Sequence, residues 1–137
     1  MEIKKCTLKD VAQLAILNKQ LIDDEKSDNP MSIKELEDRM TGFLNTEYDA
    51  YFFVVNNAVV GYALVKNTCS PLYLRQFFID RQYRKQHLGT EAFKSLIEYL
   101  KVKSIDIEVL SWNEVGNRFW ESCGFKDISR YMRFEQE

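Results

Sequence analysis

The change of hydrophobic period between Leu72 and Leu110 constrains this chain more than any other feature. Leu72–Ile79, LYLRQFFI, is rich in aromatic and aliphatic residues and bounded by Pro71 and Asp80, which reads as a strand. Leu88, Ala92, Phe93, Leu96, Ile97 and Leu100 then recur at helical spacing. Ile105, Ile107 and Val109 alternate with Asp106 and Glu108, so Ser104 to Leu110 reads as a second strand. Two strands joined through a helix must be parallel, with a right-handed crossover. The chain is therefore α/β.

The flanking segments extend this unit. Met1 to Cys6 alternates weakly as a first strand, and Thr7-Leu8-Lys9-Asp10 reads as a cap before a helix carrying Val11, Leu14 and Leu21. The polar run Asp23 to Pro30 ends that helix. Ser32-Ile33-Lys34-Glu35 is a capping box ahead of a second helix with Ile33, Leu36, Met40 and Phe43 on one face. YFFVV and VVGYALV flank Asn56-Asn57-Ala58, a hairpin signal because Asn tolerates positive φ. Asn113 to Ser122 predicts a short helix, and Phe125 to Phe134 a last strand. The expected order is β-α-α-β-β-β-α-β-α-β, a mixed sheet in a single domain over residues 1–137.

Composition narrows the function classes. Nineteen basic and twenty-one acidic side chains leave a net charge of −2, so no global field draws nucleic acid or an anionic membrane. An RNA-binding α/β domain remains a weak rival, resting on Arg81, Arg84 and Lys85 alone. Cys6, Cys69 and Cys123 are odd in number, widely spaced and form no CxxC, which argues against disulfides or a zinc site and fits a reducing compartment. MEIKKCTLKD lacks the apolar stretch of a signal peptide, and Ala50 to Val55 is too short to span a bilayer. A cytoplasmic protein without metal, membrane or nucleic-acid partner is expected.

An anion site must then be built locally. Tyr83-Arg84-Lys85-Gln86-His87-Leu88-Gly89-Thr90 lies where the strand turns into the amphipathic helix. The first N–H groups of a helix have no intrahelical acceptor, and the helix dipole adds positive potential there. Gly89 lets a ligand approach the backbone closely, and Arg84 and Lys85 add charge. This suits a phosphate or diphosphate. The stretch is neither a Walker A loop nor a GxGxxG fingerprint.

Arg84-Lys85-Gln86-His87-Leu88-Gly89 resembles the [QR]-x-x-G-x-[GA] motif of the GNAT superfamily of acyl-CoA-dependent N-acyltransferases. Asn113 to Phe125, NEVGNRFWESCGF, is similar to that family's N-x-x-[AG]-x-x-[LF]-[YW]-x-x-x-G-F. The resemblance covers essentially the whole chain and implies a GNAT-like fold with acetyl-CoA as cofactor. It implies that backbone groups of Phe77, Phe78 and Ile79 pair with the pantetheine arm like an added strand. It further implies that residues Arg84, Lys85, Gln86, His87, Leu88, Gly89 and Thr90 surround the diphosphate, mainly through N–H groups. Asn113 would bond the pantetheine, and Asn117 and Phe119 would lie along the cofactor.

Two positions depart from the family pattern. His87 stands where the first motif carries glycine, either donating to a phosphate or lying on the surface. Trp120 stands where many members carry a tyrosine that protonates the departing thiolate, a role an indole N–H cannot fill. Packing is the expected role of Trp120.

Glu108 is the candidate base. A lysine-like amine with pKa about 10.4 costs roughly 4–5 kcal/mol to deprotonate at pH 7, and a positioned carboxylate can take that proton. Glu108 precedes Asn113 by the offset at which some GNAT branches carry a base glutamate. The competing reading is a salt bridge to Arg75 on the neighbouring strand, and the two readings can coexist. Tyr73 shares the Arg75 face by alternation, where it either lines the acceptor cleft or packs in the core. The acidic loop around Asp23, Asp24, Glu25 and Asp28 either attracts a cationic amine or is simply solvated.

Together these readings predict an N-acetyltransferase acting on a small-molecule or peptide amine, as a monomer or homodimer. A CoA-binding regulatory module with its chemistry lost is the alternative, kept open by His87 and Trp120.

Overall fold

The computed structural model describes residues 1–84 and 87–137. The elements run β1 (Glu2–Lys5), α1 (Val11–Asp24), α2 (Ile33–Leu44), β2 (Tyr48–Val55), β3 (Ala58–Lys66), β4 (Leu72–Ile79), α3 (Leu88–Leu100), β5 (Ile105–Asp106) and α4 (Glu114–Ser122). The five strands form one sheet in chain order. Neighbours are antiparallel except β4 and β5, which are parallel. The sheet is therefore mixed, as the strand–helix–strand pattern requires.

Local chemistry sets the boundaries. Thr7 and Asp10 form a capping box over a short 3-10 turn at Leu8–Asp10, which leads into α1. Ser32 and Glu35 form the one that opens α2. Asn56 and Asn57 make the β2–β3 hairpin with φ of 51° and 66°, the left-handed pair such a tight turn needs. Gly61 lies where β3 presses on β4: a Cβ there would sit 2.0 Å from the Phe78 carbonyl oxygen.

The sheet has helices on both faces. Tyr51, Phe53, Val60, Val65 and Leu74 point to one side, against Ala92, Phe93 and Leu96 of α3. Ala50, Phe52, Tyr62, Leu64 and Phe78 point to the other, against Leu14 and Leu17 of α1 and Met40 of α2. β2 and β3 are buried on both faces, which is why their sequences read as unbroken apolar runs.

Two elements differ from the sequence reading. The β4–β5 ladder consists only of Leu72↔Ile105 and Tyr73↔Asp106, so the expected strand Ser104–Leu110 shrinks to two residues. The expected last strand, Phe125 to Phe134, does not form. Phe125 packs on the core, but Ile128, Tyr131, Met132 and Phe134 beyond it are 75–92% exposed. Alternation is a necessary feature of a strand; without a neighbouring ladder it produces only extended chain. Among the described residues no helix is long and apolar enough to cross a membrane.

Candidate active site

The parting of β4 and β5 builds the site. Beyond Tyr73 and Asp106 the parallel ladder stops, and residues 107–110 carry no strand structure. β4 runs on to Ile79 with β3 along one edge. Its other edge has no strand partner beyond Tyr73 among the described residues; the backbone groups of Phe77 and Ile79 point to it, those of Phe78 point to β3, and the Ile79 carbonyl there accepts from Arg84. A β4 backbone with one unpaired edge is a template for an extended ligand chain.

The same opening meets the start of α3. His87 is the N-cap residue, with φ 57° and ψ 20°, and its side chain makes no capping hydrogen bond. The N–H groups of Leu88, Gly89 and Thr90 therefore begin the helix without an intrahelical acceptor or a side-chain cap. Gly89 lies under Phe119 of α4: a Cβ there would sit 3.1 Å from the Phe119 ring. Phe119 stacks on Phe77 with ring centroids 5.9 Å apart, tying α4, β4 and the α3 start together. Lys85 and Gln86, also expected at the diphosphate, lie outside the described residues.

Arg84 has other work. Its Nε donates to the Ile79 carbonyl at 2.9 Å, and its guanidinium pairs with Asp24 at the end of α1. Arg81 donates to the same carboxylate. Burial alone would raise the Asp24 pKa, but hydrogen bonds from Arg84 and Arg81 outweigh it and hold the carboxyl below its ordinary value. Asp24 is thus a strut between α1 and the β4–α3 turn, with its charge already paired.

Asn113 and Asn117 organise the loop before α4. Asn113 caps the helix, its Oδ1 accepting from the Gly116 N–H at 3.0 Å. Asn117 Nδ2 donates to the carbonyls of Leu110, Ser111 and Asn113. Trp120 is a packing residue: its ring makes edge contacts with Phe77, Phe93, Phe119 and Phe125 at centroid distances of 4.7–5.6 Å. The end of α4 explains the Gly-Phe of its motif. Phe125 N–H returns to the Trp120 carbonyl and Gly124 N–H to that of Glu121, a Schellman closure with Gly124 at φ 99°.

On the opposite side of β4 lies a polar cluster. The β3–β4 register skips Arg75, passing from Leu64↔Gln76 to Val65↔Leu74. This bulge turns Arg75 toward α2, where its guanidinium carbon lies 5.0 Å from the Phe43 ring centre and 5.8 Å from that of Tyr48. Arg75 Nη1 also donates to the Tyr48 hydroxyl at 3.4 Å. Its neighbour Gln76 accepts from the buried Tyr62 hydroxyl at 2.7 Å. No ion pair joins Arg75 to Glu108 among the described residues.

Glu108 is exposed on the unpaired segment after β5. Burial raises the Tyr73 phenol pKa, the Glu108 charge adds to this, and Arg75 opposes it. Among the described residues no group of three or more His, Cys, Asp or Glu side chains is placed to hold a metal ion.

Arg39 belongs to none of the motifs that mark the site in the sequence. It sits on α2 beside the apolar stripe, three residues after Leu36 and four before Phe43. A cation bordering that stripe was the available signal. Its Nη2 donates to Asn18 at 3.0 Å, while its Nε is buried without a partner.

Comparison with known proteins agrees with this architecture. A structure described as a possible acetyltransferase from Clostridium difficile 630 superposes with TM-score 0.81 at 14% identity, covering 99% of this chain and 97% of that one. The aminoglycoside N-acetyltransferase AAC(6')-Iy, solved in complex with CoA, matches with TM-score 0.76 at 11% identity, over 98% and 93% of the two chains. A predicted acetyltransferase from Clostridium acetobutylicum, solved with acetyl-CoA, matches with TM-score 0.73 at 17% identity, over 98% and 95%. At these identities the likeness shows the fold. The sequence model of the acetyltransferase (GNAT) family matches residues 15–125, from α1 through the Gly-Phe that closes α4. The chain belongs to the GNAT family of acetyltransferases.

Proposed function

We propose that this protein transfers an acetyl group from acetyl-CoA to an amine by direct attack of the amine on the thioester. The observation that carries this reading is the open edge of β4 beside the uncapped start of α3, with the Glu108 charge acting on Tyr73 where β4 and β5 part. Of the stretch Phe77, Phe78 and Ile79, the backbone groups of Phe77 and the N–H of Ile79 point away from β3 and would hold the pantetheine. Leu88, Gly89 and Thr90 offer N–H donors to the diphosphate, with His87 beside them. Phe119, packed between Gly89 and Phe77, would form an apolar wall of the channel, and the Asn113–Asn117 loop its rim.

When bound, acetyl-CoA supplies an activated acyl carbonyl and a thiol leaving group. Main-chain donors on the open β4 edge would stabilise negative charge developing on the carbonyl oxygen. Glu108 would accept the proton of the ammonium, directly or through water, offsetting the roughly 4–5 kcal/mol that deprotonation costs at neutral pH. Trp120 is enclosed by aromatic rings and gives no proton to the sulfur. None is required, because a thiol with pKa near ~8.5 departs largely as thiolate.

The test is a panel of primary amines screened with acetyl-CoA and a thiol-release readout, on wild type and Glu108→Gln. The reading expects turnover on at least one amine and a drop of about 10²–10⁴-fold in kcat for Glu108→Gln, typical of losing a general base. An unchanged rate where chemistry limits would remove Glu108 from that role. Protection from melting by CoA without turnover on any amine would favour a CoA-binding module.

A further inference from the structure

Two guanidinium groups share one aromatic ring on the α1–α2 side of β4. The Arg39 carbon lies 5.5 Å and the Arg75 carbon 5.0 Å from the centre of Phe43. Neither forms an ion pair among the described residues. Glu25, whose charge reaches Tyr62, pairs with neither. Like charges brought together without a counter-ion repel, and the fold does not relieve them.

The supporting scaffold holds Arg39 in place. Its Nη2 bonds Asn18 of α1, which also engages the buried Tyr62 of β3, and Tyr62 donates to Gln76 of β4. Yet the Arg39 Nε is buried with no acceptor. Burial and the charge of Arg75 both push Arg39 below the ordinary guanidinium pKa. A buried donor left unmade is costly, and with no carboxylate paired to it the guanidinium of Arg39 keeps its full charge beside Arg75. Arg75, in the β4 bulge, is exposed, and its charge and that of Glu108 both act on Tyr73.

We propose that Arg39 and Arg75 recognise a carboxylate of the acceptor, so that the acetylated amine belongs to a molecule that also carries a carboxylate. This rests on the acetyl-transfer reading and adds the substrate class to it. The planar forks of two arginines match the two coplanar oxygens of a carboxylate. With the carboxylate on the arginines, Tyr73, which both the Arg75 and Glu108 charges influence, marks the direction in which the ammonium end would point to Glu108. A free amino acid and a peptide with a free C-terminus share this chemistry.

The experiment measures binding as well as turnover. Free amino acids and short peptides, each beside its own carboxamide, are titrated into the full chain by ligand-observed NMR, with and without CoA, and then assayed with acetyl-CoA. The inference expects the acids to bind and turn over at least about tenfold better than the amides, as charge-assisted bonds to arginine allow. Free amino acids against peptides then separates the two sources. Arg75→Gln, at an exposed position, should erase the acid–amide ratio while CoA still raises the melting temperature. Arg39→Gln should do the same if it folds.

Equal binding of acids and amides, or a ratio that survives in Arg75→Gln, would overturn the inference while leaving acetyl transfer intact. Acid-selective binding without any CoA effect would uphold the arginine site and overturn the acetyl-transfer reading. Binding of neither acids nor amides by a protein that CoA stabilises would overturn the arginine site.

Discussion

Arg84 reaches from the β4–α3 turn to Asp24 at the last turn of α1, and Arg81 joins it on the same carboxylate. This ties α1 to the turn that opens α3. Because the folded pKa of Asp24 is depressed, its contribution is present above the unfolded value near 3.8 and is lost as pH falls through the folded value.

Asp24→Asn should therefore lower stability at neutral pH by about 1 kcal/mol, since both arginines are substantially exposed and solvent screens them. The deficit should shrink as the pH falls below about 4. Denaturant melts of wild type and variant at pH 7 and pH 3 check this. A deficit that is constant with pH would contradict the ion-pair account.

His87 occupies left-handed backbone with φ 57°, which costs a side-chain-bearing residue about 1–2 kcal/mol. The family resemblance places glycine at this position, and the backbone supplies the reason. His87→Gly should raise the melting temperature by several degrees. It should also preserve any rise produced by CoA. A lower melting temperature would mean that the imidazole makes stabilising contacts larger than the strain.

Gly124 tests the Schellman closure of α4. A Cβ there meets no heavy atom within 4 Å, so Gly124→Ala adds no clash and reports the backbone alone. With φ at 99°, the variant should lose at least about 1 kcal/mol by denaturant titration. An unchanged midpoint would show that the α4 end relaxes freely.

Much of this architecture was legible because local rules and tertiary structure agree. The Ser32–Glu35 box, the Asn56–Asn57 turn and the Leu72–Ile79 strand each carry their own chemistry, and each forms where that chemistry lies. Glu108 was harder. Its alternation with Ile107 and Val109 promised a strand, but the β4–β5 ladder ends at Asp106, and no periodicity encodes where two strands part. The competing reading of Glu108, a salt bridge to Arg75, does not form among the described residues for a related reason. A one-residue bulge turned Arg75 onto Phe43 and Tyr48, and bulges leave no composition signature at a non-glycine site. The resemblance gave Arg84 a phosphate, whereas a partner sixty residues earlier in the chain holds its guanidinium. Long-range pairing of that kind is invisible to motif spacing.

The most direct test of the central claim is a calorimetric titration of the full chain with CoA, paired with a melting curve. The open β4 edge and the free amides of α3 predict saturable binding at one site per chain. At about a hundredfold excess over Kd they predict about 2.7 kcal/mol of stabilisation and a rise of a few degrees. Millimolar CoA that produces neither heat nor a shift in melting temperature would contradict the account.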